Sequence, residues 1–285
     1  MKVAAGSGAR SIESRQNARV KELRAGLKRG AVTGSGLLAI EGEQLLGEAV
    51  RSGLRVHTVF VNRGSEGLQD AGLAEGTELL LLPEEIFRSA CATEHPQGVA
   101  ALIEPPQFSV DAAFQPNAAF HGAPLLVIAA GLQDPGNLGT LVRSAEAFGA
   151  GGMFLLPGTV SLWNAKTLRA AAGSAFRLPV LSMSPQEVLD SLRSRGVRLL
   201  AATPRGGVSP AGLASPVALL LGNEGAGLSP WWLEQADERI TIPCPGAAES
   251  LNAAVAGGVL LYEAARQRRE ATIARANRPS AKALR

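Results

Sequence analysis

The sequence predicts a two-part α/β protein, and three observations predict it. A chain of 285 residues exceeds what one small core needs. Two blocks of short apolar strands alternate with helical stretches. Between them lies a segment with Pro105, Pro106, Pro116, Pro124 and Gly122 that fits no regular period. Apolar residues make up 46% of the chain but aromatics only 4%, so Ala, Leu, Val and Gly must fill both cores.

The first block, residues 1–104, opens with a helix over 11–30. Ile12, Val20, Leu23 and Leu27 lie roughly on one face, Ser11 serves as N-cap and Gly30 as stop. Strands follow at 37–40, 57–61, 78–82 and 99–103, with helices over 44–52 and 84–89. Residues 105–124 form the linker. The second block, 125–267, places near-continuous apolar strands at 125–130, 153–156, 198–202, 217–221 and 239–242. Helices are expected over 137–148, 185–195 and 251–267, and a basic tail over 268–285. Strands apolar on both faces belong to a parallel sheet covered on each side, whose ligands gather at the C-terminal strand ends.

Charge is segregated. Residues 1–29 hold eight Lys/Arg against two acids, and residues 266–285 hold seven against one. Residues 30–265 carry thirteen basic and twenty-two acidic groups. Basic ends on an acidic body fit attraction to a polyanion, and fit plain solvation of the ends equally well. No apolar run is long enough to span a bilayer, and the first ten residues do not pattern as a secretory signal. Cys91 and Cys244 imply no disulfide framework, and His57, His95 and His121 show no metal-ligand spacing. The expectation is a cytoplasmic protein without a metal.

Three segments, each following a buried strand, carry the chemistry. Residues 131–139, GLQDPGNLG, run into a helix bearing Arg143. There Asn137 can cap the helix or face a ligand, and an Asn cap with a surface Arg is the plain alternative. Residues 222–229, GNEGAGLS, hold three glycines that permit close backbone approach. No Lys-Ser/Thr follows, and Glu224 would repel phosphate, so hydroxyls, amides or a positive sulfonium suit this loop better. Residues 242–252, IPCPGAAESLN, place Ser250 and Asn252 at a helix start. Pro243 and Pro245 stiffen this loop into a wall for a flat ring. A Ser cap and ordinary turns are the plain readings of the last two segments.

In this order and context the three segments resemble the motifs of the SpoU/TrmH family of the SPOUT superfamily of RNA methyltransferases. Residues 19–98, with Glu41-Gly-Glu43 and Pro96-Gln-Gly98, are similar to the small RNA-binding domain that precedes the catalytic domain in many members. The resemblance implies a C-terminal trefoil-knot domain behind an RNA substrate-binding domain. It implies S-adenosylmethionine held in the knot at Gly222, Ile242 and Leu251. Asn137, Arg143, Glu224, Ser250 and Asn252 would form the catalytic neighbourhood. The reaction implied is methyl transfer to a ribose 2′-hydroxyl, with ribosomal RNA favoured over transfer RNA. A homodimer across the knotted domains is implied, and Val255, Val259 and Tyr262 are expected at least partly buried, in the core or against the partner. Arginine is often taken as the base in this family. A free guanidinium gives up its proton only at about pH 12.5–13.8, so Arg143 is expected to clamp a phosphate and polarise the hydroxyl.

Two other functions place different demands on the sequence. A nicotinamide dehydrogenase needs a glycine fingerprint opening a βαβ unit, and Gly6-Ser-Gly8 follows no strand. An RNA-binding ribosome-assembly factor without catalysis would share the basic ends. It would not need Arg143, Glu224, Ser250 and Asn252 together.

Overall fold

A computed structural model describes residues 9–64, 72–94, 96–115, 123–247 and 249–276. In chain order the elements begin β1 (Ala9–Ser11), α1 (Ala18–Arg29), β2 (Leu38–Glu41), α2 (Glu43–Arg51) and β3 (Val56–Asn62). They continue with β4 (Glu78–Leu82), α3 (Glu84–Ala90), β5 (Val99–Ile103), α4 (Val110–Ala113), β6 (Leu125–Ala129) and α5 (Pro135–Ala147). Next come β7 (Gly152–Leu155), α6 (Ala165–Ala171), a 3₁₀ turn (Ser174–Phe176), β8 (Val180–Ser182) and α7 (Pro185–Ser194). The chain ends with β9 (Arg198–Ala202), β10 (Val217–Leu221), α8 (Pro230–Gln235), β11 (Glu238–Ile240) and α9 (Ala253–Ala276). Among the described residues, no helix is long and apolar enough to cross a membrane.

The elements fall into two compact units. One comprises Met1–Gln107 with Ser161–Arg177, the other Phe108–Val160 with Leu178–Arg285. The first is built on a mixed five-stranded sheet in the order β1-β4-β3-β5-β2. Val20, Leu23 and Leu27 of α1 enter a core with Phe60, Leu80, Phe87 and Leu102. The helix begins later than expected. Ser11 closes β1, and the cap is Asn17, whose Oδ1 accepts from the Arg19 and Val20 amides at 2.9 and 3.4 Å. Asn17 wins because Ile12, taken above as helical, is buried beside a strand whose edge pairs with β4. The expected stop stands: Gly30 takes the left-handed conformation, φ 59°, that ends a helix without a Cβ penalty.

Residues 161–177 join this unit although they lie in sequence between two strands of the other. Ser161 Oγ donates to the Gly30 carbonyl at 2.6 Å, and a Cβ on Gly30 would lie 2.9 Å from Asn164 Cα. Arg177 donates to Glu48 at 2.6 Å and Ser52 at 3.4 Å. The buried Glu41 accepts from the Ala92 amide at 2.8 Å and from Thr93 Oγ1, pinning the stretch that leads to Gly98.

The second unit carries a six-stranded sheet, β11-β9-β10-β6-β7-β8, parallel throughout. β6, β7 and β10 are buried along their whole length, which is why they read as unbroken apolar runs. Leu126, Ile128, Phe154, Leu189, Leu192, Leu199, Leu220 and Trp232 fill the core on one side. α7 is fixed by a capping box in which Ser184 and Glu187 satisfy each other's amides.

α9 starts at Ala253 and runs on through nine residues assigned above to the tail. Nothing between Arg268 and Ala276 breaks a helix, and Arg266 pairs with Glu263 at 2.7 Å and Glu270 at 2.6 Å. Its inward face is Ala254, Gly257, Leu260, Leu261, Ala264 and Arg268. Val255, Val259 and Tyr262 lie on the opposite face and are exposed, so the core does not cover them. Arg268 is buried and donates to the carbonyls of Leu213 at 2.9 Å, Pro124 at 3.0 Å and Ser215 at 2.8 Å, and to that of Ala123. Burial pushes its side chain down to about pH 10, so it keeps its charge at neutral pH. The remaining tail, 277–285, lies outside the described residues.

Candidate active site

The three sequence segments meet at the C-terminal ends of β6, β10 and β11. Asp134 caps α5 by accepting from the Asn137 amide at 2.9 Å, and Pro135 occupies the first turn. Asn137 is therefore not the cap, and its side chain is free for other partners. Its Nδ2 donates to Glu224 at 3.0 Å, and its Oδ1 accepts from Asn252 Nδ2 at 2.9 Å. Asn252 Oδ1 in turn accepts from the amides of Ala254 and Val255 at 2.9 and 3.2 Å, which makes Asn252 rather than Ser250 the cap of α9.

Glu224 also accepts from the backbone amides of Gln133 and Asp134 at 3.1 and 3.2 Å. Burial works against its charge. The hydrogen bonds from Asn137 and from backbone amides outweigh that and hold the carboxyl below its ordinary range. One carboxylate thus ties the 131–137 loop to the 222–227 loop, and one amide carries the link on to α9.

The 222–227 loop is closed on itself. Asn223 and Gly227 exchange backbone hydrogen bonds at 3.1 and 3.0 Å. Asn223 Oδ1 accepts from the Gly225 and Ala226 amides, both at 2.9 Å, while its Nδ2 donates to the Gly131 carbonyl at 2.8 Å. A Cβ on Gly222 would lie 2.5 Å from the Gly227 carbonyl carbon, so glycine is required there by the loop's own backbone. Thr159 holds the first loop from behind, accepting from the Gly131 amide and donating to the Ala129 carbonyl, each at 3.0 Å.

Beside this network opens a cavity of about 590 Å³, the size range of a cofactor site. Gly222, Glu224, Ile242, Ser250 and Leu251 line it. Asn137 stands beside it through its bond to Glu224, and Asn252 through its bond to Asn137. Arg143 does not line it. It is exposed on α5, and among the described residues it makes no ion pair. Gly206, Gly222, Gly225, Gly227 and Gly246 are among its lining residues, and at each of them only backbone can meet a ligand. Pro204, Arg205 and Glu249 also line it, and Arg205 pairs with Glu249 at 3.8 Å. None of these, nor Asn223, was singled out from the sequence as a site residue. No group of His, Cys, Asp and Glu among the described residues could hold a metal ion.

The loop between β9 and β10 lies against the last strand. Thr203 and Val208 donate to the Ile240 and Arg239 carbonyls, both at 2.9 Å, and Thr241 donates back to Val208 at 2.9 Å. A Cβ on Gly207 would lie 2.7 Å from the Ile240 backbone, so the two segments cross in direct contact. α9 then runs parallel to α5. Asn252 meets Asn137, Gly257 faces Leu141, Gly258 faces Ser144, and Tyr262 meets Phe148 edge-on with ring centroids 5.9 Å apart.

Residues 124–262 match the model of the SpoU rRNA methylase family, and residues 17–101 match that of the MRM3-like substrate-binding domain. The chain is 34% identical over 255 residues to the 23S rRNA (guanosine(2553)-2′-O)-methyltransferase RlmP of Bacillus subtilis, covering 89% of this chain and 98% of that one. The chain belongs to the SpoU rRNA methylase family. It is 33% identical to the 23S rRNA (uridine(2479)-2′-O)-methyltransferase of Streptomyces viridochromogenes, over 91% of this chain and 93% of the relative. The SpoU methyltransferase AviRb from the same organism, solved with AdoMet, superposes with a TM-score of 0.75 at 29% identity, covering 89% and 98% of the two chains. An AdoMet-bound rRNA methyltransferase from Sinorhizobium meliloti superposes at 0.77, again at 29% identity, over 91% and 98%. The second unit is therefore the SPOUT methyltransferase domain expected above, and S-adenosylmethionine is the methyl donor of the SpoU family.

Proposed function

We propose that this chain methylates a ribose 2′-hydroxyl of ribosomal RNA, in the cytoplasm and as a homodimer. The observation that carries the reading is the bond path from Glu224 through Asn137 to Asn252, which joins all three motif segments beside one cavity. Gly222, Ile242 and Leu251 would hold S-adenosylmethionine, which supplies a methyl already activated on a positive sulfonium. The fit rests on the glycines of the cavity wall, where backbone meets the ligand, and on Glu224, a carboxylate held below its ordinary range.

What remains for the protein is orientation and the fate of one proton. Asn137 and Asn252 are fixed by Glu224 and by the start of α9, so their amides are set before any ligand arrives. Ser250 adds a hydroxyl on the cavity wall. Arg143, exposed and without an acidic partner among the described residues, suits an RNA phosphate and the attacking hydroxyl. The exposed Val255, Val259 and Tyr262 face of α9 suits a second copy of the chain. Light scattering of the full chain should report two subunits, and a stable, active monomer would contradict the dimer.

The activity test is mapping of 2′-O-methylation in ribosomal RNA incubated with the protein and labelled S-adenosylmethionine. Incorporation at one ribose supports the reading. RNA binding without incorporation would turn it to an assembly factor, and incorporation into transfer RNA alone would redirect it. The role of Arg143 is tested by single-turnover rates against pH at saturating RNA. Arg143→Lys should keep the wild-type profile at a lower rate, since Lys loses the planar fork but keeps its charge. A profile moved to lower pH, following a lysine reference of about 10.4, would make this residue the base.

A further inference from the structure

On the reading that this cavity is the donor site, we infer that Arg205 and Glu249 on its wall bind the amino-acid end of the methyl donor. Arg205 takes the α-carboxylate and Glu249 the α-ammonium. The first observation is of charge. S-adenosylmethionine carries a positive sulfonium, a positive ammonium and a negative carboxylate. Among the described residues, the Asp, Glu, Lys, Arg and His side chains that line the cavity are Arg205, Glu224 and Glu249. Two negative groups and one positive group thus face a ligand with two positive charges and one negative. Arg205 is the single cation on that wall, so it is the charged partner available to the carboxylate.

The three groups are not equally free. Glu224 is committed to the Asn137 side chain and to the amides of Gln133 and Asp134. Among the described residues, the side chains of Arg205 and Glu249 have only each other as partners. Their contact of 3.8 Å is too long for a hydrogen bond, and the two side chains are 77% and 87% exposed. Such a pair adds little to the fold and leaves its donors and acceptors to a ligand. An α-amino acid bears its ammonium and its carboxylate on one carbon, so a single ligand group can engage both side chains. The planar fork of Arg205 suits two-point contact with a carboxylate, and Glu249 can accept from the ammonium. Arg205 also stands on fixed backbone. Two residues before it, the Thr203 amide donates to the Ile240 carbonyl at 2.9 Å. Two residues after it, the Gly207 amide donates to Thr241 Oγ1, also at 2.9 Å.

The test is calorimetry of the full chain with ligands that differ at this end. S-adenosylhomocysteine keeps the amino-acid group, 5′-methylthioadenosine lacks it, and decarboxylated S-adenosylmethionine lacks only the carboxylate. R205Q should bind S-adenosylhomocysteine about tenfold more weakly than wild type, the scale of one charge-assisted contact on an open wall. It should bind 5′-methylthioadenosine as wild type does, and decarboxylated S-adenosylmethionine at least as tightly as wild type does. E249Q should weaken S-adenosylhomocysteine and decarboxylated S-adenosylmethionine about fivefold each and leave 5′-methylthioadenosine unchanged. Without ligand, both variants should melt at the wild-type temperature. Equal losses for S-adenosylhomocysteine and 5′-methylthioadenosine in either variant would overturn the assignment, as would undiminished S-adenosylhomocysteine binding in R205Q. Wild-type protein that binds neither these ligands nor S-adenosylmethionine would remove the donor site from this cavity and the assignment with it.

Discussion

The two walls of the cavity are built differently. In the 222–227 wall each polar side chain is bonded: Asn223 makes three hydrogen bonds and Glu224 three, and Gly222 leaves no room for a methyl group. The facing wall, residues 242–251, makes no hydrogen bond among the described residues. Its fastening is the exposed pair Arg205–Glu249, and Gly246 has no neighbour within 4 Å of where a Cβ would stand. One wall is set before the ligand arrives, and the other is stiffened only by Pro243 and Pro245. Preorganised groups act on the reacting atoms without reorganisation, whereas a loose wall can admit a ligand and settle on it.

The largest effect should come from Gly222→Val. The branched side chain would collide with the Gly227 backbone, cost about 3 kcal/mol and abolish S-adenosylmethionine binding by calorimetry. Retained binding would mean that the first wall yields. Glu224→Ala comes next, since it leaves two backbone amides and the Asn137 amide without their acceptor. Methyl transfer should fall about 100-fold in single-turnover assays, the scale of a 1 Å misplacement. Its charge gives a pH signature. Because the folded carboxyl titrates below its unfolded value near 4.5, its contribution is present above that pH and lost as pH falls through the folded value. The melting difference between wild type and Glu224→Gln should therefore shrink in acid, and a difference that grows would reverse the assignment.

Asn223 sharpens the same contrast at smaller scale. Serine can accept from the Gly225 and Ala226 amides but is too short to reach the Gly131 carbonyl. Asn223→Ser should thus keep more donor affinity than Asn223→Ala, which should lose about 1–3 kcal/mol of stability. Equal losses in melting and calorimetry would show that the tie to Gly131 decides the loop. Smallest of all, Gly246→Ala and Glu249→Ala in the facing wall should leave melting unchanged, because exposed ion pairs contribute little. A large drop from either would show that this wall is also preformed.

The long strands of both sheets were legible because burial on both faces leaves an unbroken apolar run, as in β6 and β10. β1 and β8 were not. Each has three residues, and Ala9–Ser11 carries two polar side chains at a sheet edge, so periodicity has nothing to count. The motif residues were legible through a family resemblance rather than through spacing. Their bonding was not, because a polar residue in a glycine turn reads as solvated, and Asn223 hides its reach across 92 positions to Gly131. Arg205 lay beyond reading for the same reason: the β9–β10 connection comes beside the cavity only through its contact with residues 239–241. The allegiance of residues 161–177 was equally hidden, since a short amphipathic helix does not say which core it will join.

Arg268 bears on how long the fold lasts once made. Its guanidinium sits on four carbonyls, two just before β6 and two in the segment leading to β10, all upstream of the point where the C-terminal segment crosses the β9–β10 loop. For that crossing to come undone, a charged group must first leave its buried acceptors, before any gain from chain freedom is collected. An interaction made only after threading is complete burdens the escape step rather than the approach. The domain's persistence is then a matter of rate, a lifetime to which an arginine on the same helix that Asn252 caps contributes.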